Sequence, residues 1–317
     1  MKALFFDGSL SLKSVPVPEP VKGEVLINIL YSAICNTDLE IMKGYMGFKG
    51  IPGHEFVGRV ITPGHPLTGK IVVGEINCPC GKCYLCVTGR RFHCPDRTVL
   101  GIFNHPGVFA ECIVLPVENL HLVPDNLAPK VAVFTEPLAA ALEIFEDTNI
   151  KPTQKVFIFG AGKLGLLVSL VFRLHGTDYT TIDINQEKVG FAREMGLNAM
   201  TLAQLPASDK AEVCVDCTGN PEGIRIALEH LYPRGLLVLK TTVAQTGVLD
   251  LNQLVINEIR LTGSRCGPFG PALNLLSQKL IDPTPLISNT FKFQNIIEAF
   301  ASASKPGSLK VIIDHEK

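Results

Sequence analysis

The densest group of reactive side chains lies between residues 77 and 96, NCPCGKCYLCVTGRRFHCPD, which contain five of the ten cysteines. Four of them follow a metal-ligand spacing, C-x2-C-x2-C and then a cysteine eight positions later: Cys80, Cys83, Cys86 and Cys94. Four thiolates in one short segment predict a closed tetrahedral zinc site, which stabilises a lobe and leaves no position for a substrate. The alternatives are an iron–sulfur cluster and free surface cysteines.

A second set of candidate donors is spread along the first half of the chain, in SAICNTDLE, IPGHEFVG and FTEPLAAAL. His54 lies between Gly53 and Glu55, so that the backbone can approach an ion closely and a carboxylate is at hand. Cys35 follows an apolar run, where a lone cysteine is more often a small core residue than a metal ligand. Glu136 precedes a helix and also fits a carboxylate that stabilises the helix N-terminus. These residue types alone leave the second metal site open.

A glycine-rich turn begins the second half of the chain, in QKVFIFGAGKLGLLVSLVFRLH. The motif G-x-G-x-x-G directly follows an apolar strand and directly precedes an apolar helix, which is the context of a dinucleotide-binding turn. Its glycines allow the tight turn, the approach of the pyrophosphate and close helix–strand packing. The candidate cofactor contacts in the turn are Gly160, Gly162, Lys163, Leu164 and Gly165.

The next strand, YTTID, ends on Asp183, at about the expected twenty residues from the glycine motif. A carboxylate there accepts hydrogen bonds from the adenosine ribose and repels the extra phosphate of NADP, so NAD is the favoured cofactor and NADP the less favoured one. The alternative is that Asp183 caps the helix QEKVGFAREM. Lys188 and Thr218 complete the predicted cofactor-binding set.

The elements that position these residues fall into two classes. Strand and helix patterns alternate after the glycine turn, as in AEVCVDC followed by PEGIRIALEHL, which predicts a doubly wound parallel sheet. The first 135 residues instead contain short β-type runs interrupted by PVPEP, ITPGHP and NHPGVF, which indicates a largely antiparallel β domain. The tail predicts helices near 273–280 and 294–304 and a final strand, SLKVIID.

Composition narrows the classes of partner. With 29 basic and 30 acidic side chains, the chain lacks the positive excess typical of nucleic-acid binding. No apolar run reaches about 18 residues, and the N-terminus lacks the apolar core of a signal peptide, so neither a membrane nor export is expected. We therefore predict a cytoplasmic protein, in which ten cysteines favour metal binding over disulfides.

Taken in order, these motifs resemble the zinc-dependent medium-chain dehydrogenase/reductase family, that is, the alcohol and polyol dehydrogenases. A carboxylate at Glu136 resembles the sorbitol and threonine dehydrogenase branch. The resemblance implies an α/β protein with a GroES-like, mainly-β catalytic domain and a Rossmann domain, and a catalytic zinc in the cleft between them. The implied boundaries are 1–136 for the catalytic domain with its zinc lobe near 78–96, 137–267 for the Rossmann domain, and 268–317 for a return to the catalytic domain.

The same resemblance assigns roles to individual residues. Cys35 and His54 become ligands of the catalytic zinc, Glu136 takes the position of the third ligand, and Glu55 is a ligand or its exchanging neighbour. Thr37 passes the hydroxyl proton outward. The list of catalytic residues is Cys35, Thr37, His54, Glu55 and Glu136. Glu40 stands where relatives often have a histidine, which leaves the outer end of the proton relay open. Asp38 is expected to hold His54 in its metal-binding tautomer, or else to be a solvated loop residue.

The implied function is hydride transfer between NAD and a small-molecule alcohol, such as a polyol, a sugar or another secondary alcohol, with two zinc ions per chain. The alternative is an NAD(H)-binding zinc protein of the same fold without turnover. A homodimer or homotetramer is also implied, and the segment GLLVLKTTVAQTGVLDL is expected to supply the edge strand through which Rossmann domains pair.

Overall fold

The structure is a computed structural model, and it describes residues 1–240 and 249–316. The chain divides into two compact units. The first unit comprises Met1–Glu136, Phe269–Gln278 and Leu286–Lys317, and the second comprises Pro137–Pro268 and Lys279–Pro285.

The strands are β1 (Lys2–Phe6), β2 (Leu10–Ser14), β3 (Glu24–Ile34), β4 (Glu55–Val60), β5 (Ile71–Gly74), β6 (Asn77–Cys78), β7 (Thr98–Leu100), β8 (Asn104–His105), β9 (Cys112–Pro116), β10 (Leu120–Leu122), β11 (Lys155–Phe159), β12 (Asp178–Asp183), β13 (Ala199–Thr201), β14 (Ala211–Asp216), β15 (Leu231–Leu239), β16 (Arg260–Gly263), β17 (Ile287–Lys292) and β18 (Lys310–Asp314).

The α-helices are α1 (Asn36–Met42), α2 (Tyr84–Val87), α3 (Pro129–Ala132), α4 (Thr135–Asp147), α5 (Lys163–His175), α6 (Gln186–Glu194), α7 (Pro221–Glu229), α8 (Leu251–Ile256), α9 (Phe269–Ser277) and α10 (Ile296–Ala303). Short 3-10 helices occupy Tyr45–Gly47, Arg91–His93, Val117–Asn119, Leu202–Gln204, Thr284–Leu286 and Phe293–Asn295.

The main sheet of the first unit has the order β10-β5-β4-β3-β18-β17, and β9 also pairs with β3. β3 is antiparallel to β4, β9 and β18, as the interrupted β pattern of this region predicts. Its sequence EVLINILYSAI alternates between buried and half-buried positions before it becomes fully buried at its end. Because β18 pairs with β3, the tail of the chain is part of the first unit's sheet.

The sheet of the second unit has the order β13-β12-β11-β14-β15-β16, and every adjacent pair is parallel. The order reverses direction between β11 and β14, which marks the topological switch point of a doubly wound sheet. β11, with the sequence KVFIF, is buried from Val156 onward, and α5 is buried from Gly165 to Phe172. A parallel sheet covered by helices requires such continuous apolar runs.

One expectation about this sheet is wrong for the residues that the structure describes. The segment GLLVL was expected to form an edge strand, but it lies in β15, which pairs with β14 on one side and β16 on the other. The edge position next to it belongs to β16. Residues 241–248 of the same segment lie outside the described residues.

Candidate active site and metal centres

Strand register brings distant residues of the first unit together at one end of the interior strands of its main sheet. Ala33 of β3 lies opposite Glu55, the first residue of β4. Ile34, the last residue of β3, lies opposite Val311 of β18. Cys35 follows β3 directly, and Lys310 begins β18. The residues around the strand ends therefore meet, although they are far apart in the sequence.

Three side chains that could hold a metal ion converge at these strand ends. The sulfur of Cys35, a ring nitrogen of His54 and a carboxylate oxygen of Glu55 all lie within 4.8 Å of one another. His54 is 2% exposed and Glu55 is 1% exposed. Gly53 presents His54 with φ of 98°, and a Cβ built there would lie 2.7 Å from the Phe109 ring. A side chain at position 53 would therefore displace the histidine or the ring.

Lys310 is a residue of the candidate site that the sequence analysis missed. Its ammonium nitrogen lies 2.7 Å from one carboxylate oxygen of Glu55 and 2.6 Å from the other, and both side chains are buried. Burial opposes the charged form of Lys310, but the charges of Glu55 and then of Cys35 outweigh it and raise the pKa of Lys310. The sequence signal for this role was a lysine at the start of an otherwise apolar strand, SLKVIID.

Asp38 holds two of the donors in place. Its Oδ2 accepts a hydrogen bond of 2.8 Å from the backbone N–H of Cys35, and its Oδ1 lies 3.3 Å from Nδ1 of His54. This contact leaves Nε2 of His54 for a metal ion, which is the usual role of a carboxylate behind a ligating histidine. Burial disfavours the charged form of His54, but Asp38 and Cys35 outweigh it and raise its pKa well above the usual range. Asp38 is fully buried, so the reading of it as a solvated loop residue is wrong.

The remaining residues with an expected catalytic role lie around this set. The Thr37 hydroxyl is 3.8 Å from the Cys35 sulfur. Glu136 is outside the compact set of donors, and its negative charge contributes to the raised pKa of Lys310. Glu40 accepts a hydrogen bond of 2.8 Å from the ammonium of Lys43 on the same face of the helix, so its carboxylate is paired.

The chemistry of Cys35, His54 and Glu55 fits a zinc ion. Zinc prefers thiolate, imidazole and carboxylate ligands, and a set of three protein ligands leaves a fourth position for a substrate. With Cys35 as thiolate, Asp38 and Glu55 contribute two further negative charges, which Lys310 and a divalent cation would balance. Cys35, His54 and Glu55 could therefore hold a catalytic zinc at these strand ends.

The cysteine cluster has the dimensions of a closed tetrahedral site. The sulfurs of Cys83 and Cys86 lie 3.5 Å apart, those of Cys83 and Cys94 3.7 Å, those of Cys94 and Cys80 3.5 Å, and those of Cys80 and Cys86 4.0 Å. Four ligands at the usual zinc–sulfur distance in a tetrahedron would be about 3.8 Å apart. The cluster thus fits zinc without rearrangement.

The thiols of this cluster differ in acidity. Backbone N–H groups of Lys82 and Cys83 lower the pKa of Cys80 to about 7, whereas burial and a hydrogen bond with Cys83 raise the pKa of Cys86 to about 12. One thiolate therefore forms readily, but several in contact require a cation. Cys78 is outside the cluster: it is buried and lies 3.6 Å from the amide nitrogen of Asn119.

The glycine turn of the second unit has the geometry of a phosphate-binding cradle. Gly160 adopts φ of 102°, and a Cβ on Gly165 would lie 1.8 Å from the carbonyl oxygen of Gly160. By contrast, no described atom lies within 4 Å of a Cβ built on Gly162. The open space at Gly162, next to the N-terminus of α5, fits the approach of a pyrophosphate. Lys163 and Leu164, both half-buried, form the first turn of that helix.

Asp183 lies beside this turn at the end of β12. Its Oδ2 accepts a hydrogen bond of 2.7 Å from the backbone N–H of Ala161, and the Lys188 ammonium lies 3.9 Å from the same oxygen. The cap of α6 is Asn185, whose side chain accepts hydrogen bonds from two backbone N–H groups. The alternative reading of Asp183 as that helix cap is therefore wrong. Thr218 donates a hydrogen bond of 2.6 Å to Asp216 at the end of β14.

Comparisons with known proteins agree with both halves of this description. The model of the alcohol dehydrogenase GroES-like domain matches residues 21–125, and that of the zinc-binding dehydrogenases matches residues 164–278. L-threonine 3-dehydrogenase from Chromobacterium violaceum is 30% identical over 329 residues, which cover 96% of each chain. The chain belongs to the zinc-dependent alcohol dehydrogenase family. The expected family and the oxidoreductase activity on alcohols with a nicotinamide cofactor are thereby confirmed.

Solved structures similar to this family member include both cofactor types. A short chain alcohol dehydrogenase from Escherichia coli, complexed with NADH, is 25% identical with a TM-score of 0.91 and 99% coverage of each chain. A Sinorhizobium meliloti protein bound to NADP is 25% identical with a TM-score of 0.89, covering 99% of this chain and 98% of that one. The expected fold class, a GroES-like domain with a Rossmann domain, is confirmed. Among the described helices, none has the length and apolar character needed to cross a membrane.

Proposed function

We propose that this dehydrogenase uses NAD and a catalytic zinc to oxidise a small polyol, sugar, amino alcohol or other secondary alcohol, or to reduce the corresponding carbonyl compound. Residues 1–136 and 268–317 would form the catalytic domain and residues 137–267 the cofactor domain. The observation that carries the proposal is the compact set of half-buried Cys35 with buried His54 and Glu55, which combines three possible metal ligands with a compensating lysine. The similarity to L-threonine 3-dehydrogenase places L-threonine among the first substrates to test.

Each residue of the proposed site has a definable task. When bound, zinc supplies Lewis acidity that lowers the pKa of an alcohol, and the nicotinamide accepts the hydride. Cys35, His54 and Glu55 would hold the metal, and Asp38 would keep the His54 ring oriented through its 3.3 Å contact. Thr37 would accept the hydroxyl proton and pass it outward. Glu136 would serve as an alternative oxygen ligand when Glu55 stays paired with Lys310.

NAD is the proposed cofactor because of the charge at the end of β12. Asp183 is 9% exposed and directly precedes Ile184, which is 83% exposed. A phosphate on the adenosine ribose would lie near the carboxylate of Asp183, and an isoleucine offers it no hydrogen-bond donor. Lys188 is the nearby cation, and it is already 3.9 Å from Asp183. These features favour a ribose with free hydroxyl groups.

Two zinc ions per chain are proposed, with different tasks. The cluster of Cys80, Cys83, Cys86 and Cys94 would bind the structural ion, because four protein ligands leave no open position. Cys35, His54 and Glu55 would bind the catalytic ion. Both sites need reduced thiols, which supports a cytoplasmic location.

We also propose that the chain forms a homodimer, or a homotetramer built from such dimers. β16 is at one end of the second unit's sheet, and it exposes Leu261. α8, which precedes it in the chain, exposes Leu251, Val255 and Ile256 by 68%, 76% and 78%. Among the described strands, β16 pairs only with β15, and an open strand edge beside exposed apolar side chains favours pairing with a second copy. Sedimentation that shows only a monomer at micromolar concentration would reject this proposal.

A second candidate is an NAD(H)-binding zinc protein that does not turn over a substrate. The observation in its favour is Glu40, a carboxylate paired with Lys43 at the position where a histidine often ends the proton relay of relatives. A non-catalytic protein would not need that relay. It would still bind NADH through the glycine turn, so binding alone does not separate the two candidates.

The deciding experiment follows the absorbance of reduced nicotinamide in zinc-replete protein. NAD and NADP are offered separately with L-threonine, polyols, sugars and simple secondary alcohols. We expect turnover with NAD that disappears in Cys35→Ser while the fold is retained. NADH binding without turnover on any substrate, in protein that contains only one zinc per chain, would favour the second candidate.

A further inference from the structure

A buried lysine lies at the carboxyl ends of the parallel strands in the second unit's sheet. Leu239, the last residue of β15, is in register with Asp216 of β14 and Gly263 of β16. Lys240 follows directly, and its backbone N–H donates a hydrogen bond of 3.0 Å to the carbonyl of Asp216. Ser264 follows β16, and its backbone N–H donates to the carbonyl of Leu239. Lys240 and Ser264 therefore lie side by side where the parallel strands end.

The ammonium of Lys240 joins three segments of this unit. Lys240 is only 8% exposed, which is rare for lysine. Its Nζ donates hydrogen bonds to the carbonyl oxygen of Ala140 in α4 at 2.5 Å and to the hydroxyl of Ser264 at 2.9 Å, and it lies 3.5 Å from the carbonyl of Arg265. Burial of an ammonium is tolerated only with such partners. The side chain thus ties α4 to the ends of β15 and β16.

The order of the strands indicates which half of the cofactor would lie near the contacts of Lys240. In a doubly wound sheet the dinucleotide lies across the carboxyl ends of the strands, with one mononucleotide on each side of the switch point. Here the switch point is between β11 and β14. Asp183, which favours the adenosine ribose, ends β12 on one side. Lys240 and Ser264 follow β15 and β16 on the other side of the switch point, where the nicotinamide half of the cofactor would lie.

We propose that Lys240 is a positioning residue for the nicotinamide half of the cofactor. It acts through the ends of β15 and β16, which it holds at a fixed separation and against α4, so that the backbone at Ser264 and Arg265 is preorganised when the cofactor binds. Nothing in this role requires the ammonium itself to contact the cofactor. The proposal rests on the use of a nicotinamide cofactor by this dehydrogenase.

The test separates the two halves of the cofactor. NADH binding is measured by fluorescence titration, and binding of ADP-ribose, which lacks the nicotinamide ring, by calorimetry, both on the full-length zinc-replete protein. In Lys240→Met, the loss of the cation leaves the Ala140 carbonyl and the Ser264 hydroxyl without this donor. We expect the dissociation constant of NADH to rise by at least about tenfold and that of ADP-ribose to change by less than about twofold.

Two further variants complete the test. Lys240→Arg keeps the charge and the donors, so it should recover much of the NADH affinity. Lys210→Met is the matched control, because Lys210 also donates to a backbone carbonyl in this unit, that of Glu229, but it precedes the amino end of β14. It should change neither dissociation constant. If Lys240→Met does not fold, Ser264→Ala replaces it, with an expected weakening of NADH by about threefold.

Equal weakening of NADH and ADP-ribose in Lys240→Met would overturn the proposal, because it would indicate a general structural role. An unchanged NADH dissociation constant would overturn it too. Either result leaves the proposed function intact as long as the wild-type protein binds NADH. A wild-type protein that binds neither NADH nor ADP-ribose would instead contradict the proposed function and this inference together.

Discussion

The two candidate metal-binding clusters of the first unit are assembled in opposite ways. The cysteine cluster comes from a single segment of fifteen residues, Cys80 to Cys94, and three of its four ligands are partly exposed. The set at Cys35 comes from the ends of β3 and β4, with Lys310 contributed by β18, and its histidine and glutamate are almost fully buried. The side chains of one cluster come from a single loop, and those of the other come from the ends of paired strands.

The difference has an energetic consequence. A loop site that consists of thiolates is held together by its metal, because the polypeptide around it buries little apolar surface. The sheet site already has hydrogen bonds, an ion pair and strand pairing around it, so its architecture depends less on the metal. The first cluster should therefore govern stability, and the second should govern activity.

Matched serine variants test most directly whether the two clusters have these different roles. Cys35→Ser should lose the catalytic zinc and lower turnover by at least about a thousandfold, because the Lewis acid is lost, with little change in the melting temperature. Cys94→Ser should lose the other zinc and lower the melting temperature by roughly 5 °C or more. Zinc content by mass spectrometry, turnover and thermal unfolding are measured on both variants.

The opposite assignment would show in the same data. If Cys94→Ser abolished turnover at temperatures where it remains folded, the loop cluster would contribute to catalysis. If Cys35→Ser destabilised the protein as strongly as Cys94→Ser, the sheet site would be as dependent on its metal as the loop. Either result would remove the distinction between the two clusters.

Lys310→Met tests how far the sheet site is held by its ion pair. The variant leaves the buried carboxylate of Glu55 without its cation, which should lower the free energy of unfolding of the zinc-free protein by about 3 kcal/mol. Glu55→Gln in the same chain removes the uncompensated charge and should restore part of that loss. Urea denaturation of the two single variants and the double variant measures the coupling. Additive losses in the double variant would mean that the pair contributes nothing as a pair.

Sequence reasoning succeeds for features whose geometry is local. The spacing of Cys80, Cys83, Cys86 and Cys94 already determines a compact set of thiols, and the strand–glycine–helix pattern around Gly160 already determines a phosphate cradle. The sulfur distances and the positive φ of Gly160 agree with those expectations. In both cases the contacts lie within about twenty residues, so the periodicity and the turn chemistry suffice.

The features that escaped prediction depend on strand register. Lys310 reaches Glu55 because β18 pairs with β3 and β3 pairs with β4, and a shift of one residue in either pairing would point the lysine to the other face. The same dependence explains the error about the edge strand, since the position of GLLVL within the sheet is decided by β16, which comes later in the chain. Residue patterns identify a strand but not its neighbours.

Asp38→Asn is expected to have a smaller effect, confined to the sheet site. The amide keeps the size of the side chain but removes the charge that faces Nδ1 of His54, so zinc affinity at that site should fall by roughly 10-fold to 100-fold. The loop cluster should retain its zinc with unchanged affinity. Competition with a chromogenic chelator, which removes the two ions in separate phases, measures both affinities in one experiment. A parallel loss from the loop cluster would contradict the independence of the two sites.

Glu143 extends the comparison to a half-buried carboxylate in the second unit. Burial first and the charge of Asp147 next raise its pKa to about 7, although Lys240 counteracts them. The folded protein therefore holds this proton more tightly than the unfolded chain, whose pKa is near 4.5. Consequently, the free energy of unfolding should decrease as the pH rises between these two values.

Glu143→Gln should remove that loss. Its melting temperature should match the wild type at pH 4.5 and exceed it at pH 8, by an amount that corresponds to only about a few tenths of a kcal/mol, because solvent screens a partly exposed group. Glu194→Gln, an exposed position at the end of α6 in the same unit, is the control and should show no such trend. A gain that is equal at both pH values would mean that the titration of Glu143 is not its source. The stability gained in Glu143→Gln would then come from packing and not from protonation. Glu55 would remain the carboxylate whose charge is compensated, by Lys310.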